Sequence, residues 1–573
     1  MNLTPQQKAI GKENFQAAIG SEETRRDFLK KGIMAGVVSG AGLGSFYYGY
    51  GKSVAKPVRV GVLGTGDEGS VLLGACNPEF IQVQAIADIR PYSVYRAFHG
   101  DCYSEIALKA RPGLIAKYGW KDETEARKHV KVYADYHDLL KAEKDIEAVI
   151  IALPLHLHAP AAVAALKAGK HVITEKLMAH TVHECKEMAR IAKSLNLLLA
   201  VGHQRHYNIL YDNAVDSIRR GLLGDLHYIR AQWHRGNMPG NDSWSQPLPP
   251  GVKEGTADGE KLLRELASWE KALKEAGGRD IEALVKRIAQ KRAQISDAEI
   301  KDKAKDYGYE AHPMTDASGN LVYECPPLEE LIRWRLWDRT SAGLMAELGS
   351  HQLDAASIFI AAAHGGKVEH PHPLNVSASA TRPLFPPDRD VEDHVCCLLE
   401  FPAPGYDPKD KFASRKKIAV SYASINGNGF GGYGEIVFGT KGTLILEREQ
   451  EAMLFKESDT ESKVGVVKGK GGPTLDTQAS GASQSAAVGA MATQNVSRGY
   501  TEELEHFAWC VRNRDPKNLP RCHAEVAMGD AIIALTTNMA AREGRRIEFK
   551  EEWFHVDSDE TPEGVKPDVS KYA

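Results

Sequence analysis

The feature that most constrains the fold of this chain is an apolar strand that runs directly into a glycine-rich turn. From Arg59 the sequence reads Val-Gly-Val-Leu-Gly-Thr-Gly-Asp-Glu-Gly-Ser, which places glycines at positions 64, 66 and 69. A helix is expected to follow, and a second strand, Val83 to Ala87, ends in Asp88. A G-x-G-x-x-G turn between a strand and a helix, with an acidic residue after the next strand, predicts a dinucleotide-binding βαβ unit.

The residues of this turn have distinct physical roles. Gly64 permits the tight bend, Gly66 lets a pyrophosphate approach the backbone, and Gly69 lets the helix pack closely on the strand. Asp88 is placed to accept hydrogen bonds from the adenosine ribose, which favours NAD, whereas Arg90 could accommodate the 2′-phosphate of NADP. The alternative is a glycine turn that binds nothing, with Asp88 capping the next helix. The predicted cofactor-binding residues here are Gly64, Thr65, Gly66, Gly69, Asp88 and Arg90.

Strand and helix patterns divide the chain into two domains. Strands and helices alternate to about residue 205, which predicts a doubly wound parallel Rossmann sheet. Beyond Gly224, strands alternate apolar and polar residues, which is typical of an open, mainly antiparallel sheet in an α+β domain. We therefore predict an α/β fold with a signal and linker at 1–55, a Rossmann domain at 56–205, a C-terminal domain at 206–549 and a tail at 550–573.

Three segments are predicted to be insertions into these domains. Residues 99–130 form a polar insertion, and residues 240–330 contain helical spacing that predicts a charged hairpin acting as a lid or a subunit contact. Residues 465–497 are rich in Gly, Ser, Ala and Gln and are predicted to be mobile.

Within the second domain, residues 433–446 are predicted to form one strand. The open sheet face predicts a homo-oligomer, either a dimer or a tetramer.

Charge and cysteine content exclude several classes of protein. The 72 basic and 76 acidic residues leave a formal charge of −4, so nucleic-acid binding is not expected. The eight cysteines contain no C-x-x-C pair. We therefore predict neither a zinc framework nor a disulfide scaffold, and no metal.

The N-terminus carries a second specific pattern. Arg25 and Arg26 precede Asp-Phe-Leu-Lys and then a Gly-rich, uncharged stretch from 32 to 50, which resembles a twin-arginine (Tat) export signal. The alternative is a membrane anchor, for which six glycines make this stretch poorly suited. Ser53-Val54-Ala55 offers a cleavage site very close to the first strand. We expect a partner in the Tat machinery and a periplasmic or extracellular protein, tethered to the membrane if the signal stays uncleaved.

Two places in the sequence are suited to catalysis. Lys176 follows a central parallel strand, at the edge where such sheets bind ligands, and could donate to a substrate oxygen; a surface lysine is the alternative. Glu347, His351 and Asp354 have helical spacing and are predicted to share one face. A histidine beside a carboxylate is suited to moving a hydroxyl proton near neutral pH, and a purely structural pair is the alternative.

Together these motifs resemble the glucose-fructose oxidoreductase/inositol dehydrogenase (Gfo/Idh/MocA) family. The resemblance covers nearly the whole mature chain outside the insertions and implies a Rossmann domain, an open-sheet domain and chemistry on sugars or polyols. It implies that Lys176 polarises the substrate and that His351, paired with Glu347, is the acid/base. Glu347 stands where the family has aspartate, and Leu177 where it has proline. The motifs that carry the resemblance are the turn at 64–69, the Pro154–Pro160 turn, Glu175-Lys176, Gly202-His-Gln-Arg-His-Tyr-Asn208, the Glu347–Asp354 helix, Glu392-Asp393-His394 and the segment 433–443.

The resemblance and the aromatic segment 333–339 extend the predicted site. The additional residues predicted to contact the cofactor are Leu153, His156, His158, Glu175, Lys176 and Gln204. Those predicted to contact a sugar substrate are Lys176, Arg205, Tyr207, Arg335, Trp337, His351 and Asp354.

Three functions remain open from the sequence. The first is an exported oxidoreductase acting on a sugar, with tightly bound NAD, or less favourably NADP, regenerated within each cycle because no soluble NAD pool exists outside the cytoplasm. The second is a glycoside hydrolase that oxidises its substrate transiently, eliminates the aglycone and adds water. The third is a sugar-binding protein without turnover on the same fold.

Overall fold

A computed structural model describes residues 3–19, 48–51, 54–253, 257–275, 277, 279–456, 465–469, 472–476 and 498–572. The twin-arginine pair at 25–26 and most of the segment 465–497 lie outside these residues. Within the described part of the chain, no helix combines the length and apolar character needed to span a bilayer.

The first described element is helix α1 (Pro5–Ile19), which packs against the edge of the second domain. Lys8 and Lys12 on this helix form ion pairs with Glu447 and Glu451, at 2.6 and 2.7 Å. Phe15 is 1% exposed and belongs to the main hydrophobic core. This helix, which precedes the predicted export signal in the chain, is therefore part of the folded body.

The first domain is built on six parallel strands in the order β3-β2-β1-β4-β5-β6. This is the doubly wound arrangement predicted from the sequence, and the order reverses between β1 and β4, where such sheets bind ligands. Its strands are β1 (Val58–Leu63), β2 (Ile81–Ala87), β3 (Lys131–Tyr133), β4 (Ala148–Ile151), β5 (His171–Glu175) and β6 (Leu199–Gly202). Its helices are α2 (Asp67–Ala75), α3 (Pro91–His99), α4 (Glu105–Ala110), α5 (Gly113–Tyr118), α6 (Glu123–His129), α7 (Tyr136–Ala142), α8 (His158–Lys167) and α9 (Val182–Ser194).

The predicted polar insertion at 99–130 is an integral layer of this domain. It forms α4, α5 and α6, and Leu114 and Ala126 are fully buried in the same core cluster as the strands. Its polar composition reflects the outer faces of short helices, whereas a few apolar residues attach them to the sheet.

The second domain contains an eight-stranded sheet in the order β15-β14-β13-β7-β12-β11-β10-β18. Its neighbouring strands are antiparallel except β7 and β12, which are parallel. Burial alternates along β12, so one face of the sheet is buried and the other is partly open, as predicted. The strands are β7 (Leu226–His234), β10 (Asn375–Thr381), β11 (His394–Pro402), β12 (Lys417–Ile425), β13 (Tyr433–Gly439), β14 (Gly442–Glu447), β15 (Glu451–Lys456) and β18 (Ile547–Glu548).

The single strand predicted at 433–446 is in fact two strands, β13 and β14. The backbone N–H groups of Thr440 and Lys441 donate to the carbonyls of Asp225 and Leu223, which turns the chain between them. The two glycines of Gly439-Thr-Lys-Gly442 were the available signal for this break, because glycines between apolar runs mark turns.

Helices cover the buried face of the sheet and also return to the first domain. Helix α16 places Leu504, Phe507 and Val511 in the core cluster of the Rossmann sheet. The predicted boundary at 205 therefore does not separate the two cores. The helices are α10 (Ile209–Arg219), α11 (Asp258–Glu275), α12 (Arg279–Ser296), α13 (Pro327–Ile332), α14 (Asp338–Ser341), α15 (Ser350–Ala363), α16 (Tyr500–Arg512) and α17 (Ala524–Glu543).

The insertion at 240–330 contains the predicted helical hairpin, formed by α11 and α12, followed by strands β8 (His312–Thr315) and β9 (Leu321–Cys325). Helix α12 packs against α3 of the Rossmann domain. Ile89 and Leu157, which flank the ends of β2 and β4, pack against a cluster that includes Tyr309 of the insertion. The insertion therefore covers the carboxyl ends of β2 and β4, where the cofactor is predicted to bind.

A separate antiparallel pair is formed by β16 (Gly465–Gly469) and β17 (Gly472–Asp476).

Candidate active site

The glycine turn has the backbone that a dinucleotide requires. Gly64 has φ +83, and a Cβ there would lie 2.4 Å from the carbonyl oxygen of Ala152. A Cβ on Gly69 would lie 2.2 Å from the carbonyl oxygen of Gly64, whereas one on Gly66 would meet no atom within 4 Å. The turn is thus closed towards the protein and open beside the N-terminus of α2, where a pyrophosphate would bind.

Two acidic side chains in the first turn of α2 could repel a phosphate. In both cases, the surroundings reduce the effect of the negative charge. Asp67 accepts a hydrogen bond from Nη1 of Arg96 at 2.6 Å. Burial raises the pKa of Glu68, although Tyr500 and nearby cations act in the opposite direction. The raised pKa favours the uncharged form of Glu68, which opposes an anion at this end of the helix less than a carboxylate would.

Asp88 is held rigidly at the end of β2. Its Oδ2 accepts from the backbone N and Oγ1 of Thr65 at 2.7 and 3.1 Å, and its Oδ1 accepts from the backbone N of Arg90 at 2.9 Å. Because each carboxylate oxygen has two lone pairs, this arrangement leaves acceptor capacity for ribose hydroxyls. The residues of this end therefore fit NAD.

The loops after β4 and β5 are joined by a buried histidine. The ring nitrogens of His158 lie 2.8 Å from the carbonyl oxygens of Leu177 and Leu153, so His158 braces the two loops. His156 instead faces the insertion, with its ring centroid 5.5 Å from that of Tyr309. Both histidines were predicted to contact the cofactor. In the structure, His158 lies between the loops that follow β4 and β5, and His156 lies against the insertion.

Lys176 stands at the carboxyl end of the Rossmann sheet and reaches the second domain. Its Nζ donates to the carbonyl oxygens of Glu347 at 2.7 Å and Ala346 at 3.3 Å. The same Nζ lies 3.7 Å from Oε1 of Glu347. Lys176 therefore bridges the two domains, and the Lys176–Leu177 peptide bond is cis.

Glu347 is the common partner of two cations. Nε of Arg335 donates to its Oε2 at 2.8 Å, opposite Lys176. Burial alone would raise the pKa of Glu347, but Lys176 and Arg335 together lower it below its usual range. Glu347 is therefore an ionised carboxylate that holds both cations at the cleft.

His351 lies on the next turn, beside an aromatic wall. Its ring centroid is 5.5 Å from that of Trp233, which in turn stacks on Tyr433 at 4.4 Å. Burial, followed by the positive charge of Lys176, holds the pKa of His351 well below its usual value. Its Nδ1 is buried and has no hydrogen-bond partner among the described residues. A neutral imidazole with a free nitrogen is equipped to accept a proton.

The predicted helical face through Glu347, His351 and Asp354 is interrupted between Glu347 and His351. Residues Met345–Gly349 form a π-helical turn before α15 begins, which changes the position of Glu347 relative to the helix that follows. His351 and Asp354 both lie in α15, and Asp354 accepts from Nε2 of His206 at 2.8 Å. Glu347, the carboxylate predicted to pair with His351, contacts Lys176 and Arg335.

Asp354 belongs to a buried cluster of metal-ligand residue types beneath the site. Nδ1 of His203 lies 3.5 Å from Asp354, and its Nε2 lies 3.9 Å from Asp530. The two nitrogens of one ring therefore face different carboxyl groups. Two sets of three residues here have side chains of the kind that bind metal ions. One set is His203, Asp354 and Asp530, and the other is His206, Cys522 and Asp530.

Three residues predicted to contact substrate are instead structural supports. Arg205 is fully buried between Glu435 and Glu449, at 3.0 and 2.9 Å, and also donates to the carbonyl oxygen of His351. Tyr207 is 2% exposed, and Trp337 is 1% exposed with its ring centroid 5.1 Å from that of His312.

Two predicted cofactor residues, Glu175 and Gln204, are also buried. Burial, followed by the nearby Glu68, raises the pKa of Glu175 well above its usual range. Gln204 is 2% exposed and lies 3.5 Å from Glu449 through its side-chain amide. Leu153 remains at the cofactor edge, where its side chain lies 3.1 Å from the Cβ position of Gly64.

The sequence did not single out several residues that shape the cleft. Trp233 ends strand β7 beside His351, and the Arg235 guanidinium lies 5.7 Å above its ring. An aromatic residue at the end of a half-buried strand was the available signal for Trp233. No local signal distinguishes Asp297, which reaches the Rossmann domain from the insertion and accepts from Arg90 at 2.8 Å.

Comparison with known proteins identifies the first domain. Residues 58–203 match the model of the GFO/IDH/MocA family, described as an oxidoreductase family with an NAD-binding Rossmann fold. Residues 58–203 are therefore similar to the NAD-binding Rossmann domain of this oxidoreductase family. The cofactor of this domain is accordingly NAD, in agreement with the Asp88 prediction.

Individual relatives match shorter parts of the chain. An uncharacterized oxidoreductase of Schizosaccharomyces pombe is 35% identical over 153 residues, or 25% of this chain and 41% of the relative. A glycosyl hydrolase family 109 protein of Solibacter usitatus is 29% identical over 224 residues, or 37% of this chain and 46% of the relative. The chain thus spans less than half the length of these curated relatives. A levoglucosan dehydrogenase complexed with NADH and levoglucosan has a TM-score of 0.47 at 16% identity, covering 87% of this chain and 100% of that one.

Proposed function

We propose that this protein is an exported NAD-dependent oxidoreductase that acts on a sugar or sugar derivative and recycles a retained cofactor within each catalytic cycle. The observation that carries the proposal is the convergence of Lys176 on Glu347, beside a neutral His351, at the carboxyl edge of an NAD-binding sheet. An ammonium group and a proton acceptor at one cleft are the two groups that oxidation of an alcohol requires.

The roles of these side chains follow from their charge and position. When bound, NAD supplies a hydride acceptor, and a second sugar or carbonyl compound that takes the hydride back would regenerate NAD. His351, whose pKa is held low, accepts the proton of the substrate hydroxyl. Lys176 stabilises the oxygen that becomes negative, and Glu347 with Arg335 fixes the direction of the ammonium group. Trp233 offers an apolar face for a sugar ring.

A specific comparison favours a second candidate, NAD-dependent glycoside hydrolysis. Glycosyl hydrolase family 109 proteins match a longer part of this chain, 37%, than the oxidoreductase relative, 25%. In this candidate, oxidation at C3 acidifies the C2–H bond, a base removes that proton, and the aglycone leaves from C1. Water then adds at C1, the proton returns to C2 and the hydride returns to C3, so hydrolysis occurs without net redox change.

One experiment separates the two candidates. Purified protein without added cofactor is incubated with glycosides and free sugars in D₂O, and products are analysed by NMR and mass spectrometry. We expect several turnovers per chain, because the retained cofactor is returned to NAD by the substrate itself in the hydrolase, or by a second free sugar that is reduced in the oxidoreductase. Oxidised sugar without deuterium at C2 supports the oxidoreductase, whereas aglycone release with deuterium at C2 supports the hydrolase. Absence of bound NAD and of any product would contradict both and leave the sugar-binding function.

For localisation, we propose export with a signal that remains attached. The proposal is supported by residues on both sides of the predicted signal that belong to the folded body. Phe15 is 1% exposed, and Tyr50 is 2% exposed and donates to Oε2 of Glu505 at 2.7 Å. Cleavage at 53–55 would remove both side chains from their cores, and burial of each is worth about 1.5–3 kcal/mol.

The retained signal can be tested directly. We expect protein isolated from cells to yield N-terminal peptides upstream of Tyr50 in mass spectrometry, and to fractionate outside the cytoplasm. Replacing Arg25 and Arg26 by lysine should leave the protein in the cytoplasm. A mature protein that begins near residue 56 would contradict retention.

A further inference from the structure

An arginine lies where the adenosine 2′-phosphate of NADP would need a cation, and it is already neutralised. Arg90 comes two residues after Asp88 and caps the N-terminus of α3. An arginine near this position is the side chain that commonly accommodates a 2′-phosphate. Here its Nε donates to Oδ2 of Asp297 at 2.8 Å, and its side chain is only 11% exposed.

Asp297 is supplied by the insertion and is fixed from two sides. It begins the short turn Asp297–Ile300 that follows α12, and its side chain is fully buried. Besides pairing with Arg90, its Oδ1 accepts from the backbone N of Tyr92 at 3.0 Å. Burial raises the pKa of Asp297, but the adjacent guanidinium opposes that effect and favours the ionised carboxylate.

A second arginine near Arg90, Arg96 of helix α3, is also paired with carboxylates. Nη1 of Arg96 lies 2.6 Å from Asp67 and 3.5 Å from Asp101, and the Arg96 side chain is 3% exposed. Arg90 and Arg96 are therefore both paired with carboxylates, Asp297 and Asp67, while Asp88 adds a further acidic group nearby. A 2′-phosphate would bring about 1.5 to 2 further negative charges to a place with no uncommitted arginine among these groups.

We propose that Asp297 makes the cofactor site selective for NAD over NADP by neutralising Arg90 and holding its guanidinium away from a 2′-phosphate. The insertion at 240–330 is then a determinant of cofactor choice. The proposal rests on the NAD-binding assignment of the first domain and is independent of the sugar chemistry proposed above, because the quantity to be measured is cofactor binding.

The test is a competition between the two cofactors. Purified holoprotein is equilibrated with equal concentrations of NAD and NADP, and the ratio of the bound forms is read by native mass spectrometry. Asp297→Asn keeps the shape of the side chain and its bond to Tyr92 but removes the charge. We expect it to raise the NADP:NAD ratio at least about tenfold, and we expect Arg90→Gln in the same background to abolish that gain. A ratio unchanged by Asp297→Asn, or a gain that survives loss of Arg90, would overturn the proposal.

Two further variants guard against a folding artefact. Asp302→Asn removes the same charge from an exposed position of the same insertion and should leave the ratio unchanged. Arg90→Gln in the otherwise unaltered chain should not lower NADP binding relative to NAD, because the pair with Asp297 already withholds Arg90. A tenfold fall in the NADP share in that variant would show that Arg90 reaches the phosphate, and would refute the proposal even if Asp297→Asn failed to fold.

Discussion

Replacing Lys176 by methionine should lower kcat/KM by about 10²–10³, which is the loss typical of removing one preorganised donor to a developing oxyanion. Methionine keeps the length of the side chain without the ammonium group. Because Arg335 still pairs with Glu347 at 2.8 Å, the carboxylate is not left without a cation and the fold should persist. The measurement is steady-state kinetics on the substrate identified by the D₂O experiment.

Cofactor binding distinguishes loss of chemistry from loss of structure in this variant. The bound NAD content of Lys176→Met should match that of the unaltered protein, because Lys176 contacts the second domain and not the glycine turn. Lys167→Met is a matched control, since Lys167 is an exposed lysine at the end of α8. Activity in Lys176→Met equal to that of the control would refute the role of Lys176.

Replacing His351 by asparagine should lower kcat/KM by about 10²–10⁴, the range expected for loss of a general base. Asparagine approximates the size of the imidazole and can form hydrogen bonds, but it cannot accept a proton near neutral pH. The carbonyl oxygen of His351, which accepts from Arg205, is unaffected because it belongs to the backbone. His137→Asn, at an exposed position of the first domain, is the control.

The pH profile gives the His351 prediction a distinctive signature. Burial and Lys176 lower the pKa of His351, so the neutral, proton-accepting form persists to lower pH than for a free histidine. In the unaltered protein, kcat/KM should therefore stay constant down through a free histidine's pKa of about 6.5 and fall only at lower pH. In His351→Asn that acid limb should disappear. An unchanged acid limb in the variant would assign it to another group.

Much of the fold and part of the site followed from local sequence patterns. The glycine turn, the position of Asp88 and the change from parallel to alternating strands depend on residues close together in the chain, where periodicity and turn chemistry are informative. Lys176 was located by its place at the end of a strand, whereas its contact with Glu347 was found only in the structure. The glycine turn, Asp88 and the strand patterns could be predicted because each depends on residues that are adjacent in the chain.

The sequence patterns failed where backbone geometry or distant packing intervened. The π-helical turn at Met345–Gly349 interrupts the regular helical spacing between Glu347 and His351, and Asp354 pairs with His206. Arg205 and Trp337 have the chemistry of sugar ligands, but the fold buries both. Polarity and spacing in the sequence do not show whether distant segments will bury a side chain. The sequence alone therefore could not distinguish buried supports such as Arg205 and Trp337 from residues that line the cleft.

The sequence by itself determined that residues 58–203 form an NAD-binding Rossmann domain, because a strand, a turn and a helix encode the cradle locally. Only the tertiary structure decided which partners complete the site. Lys176 and Glu347 are 171 residues apart, and Arg90 and Asp297 are 207 apart. Contacts over such separations depend on how whole layers pack, and they decide whether a given lysine or arginine is free to bind a ligand or is already neutralised.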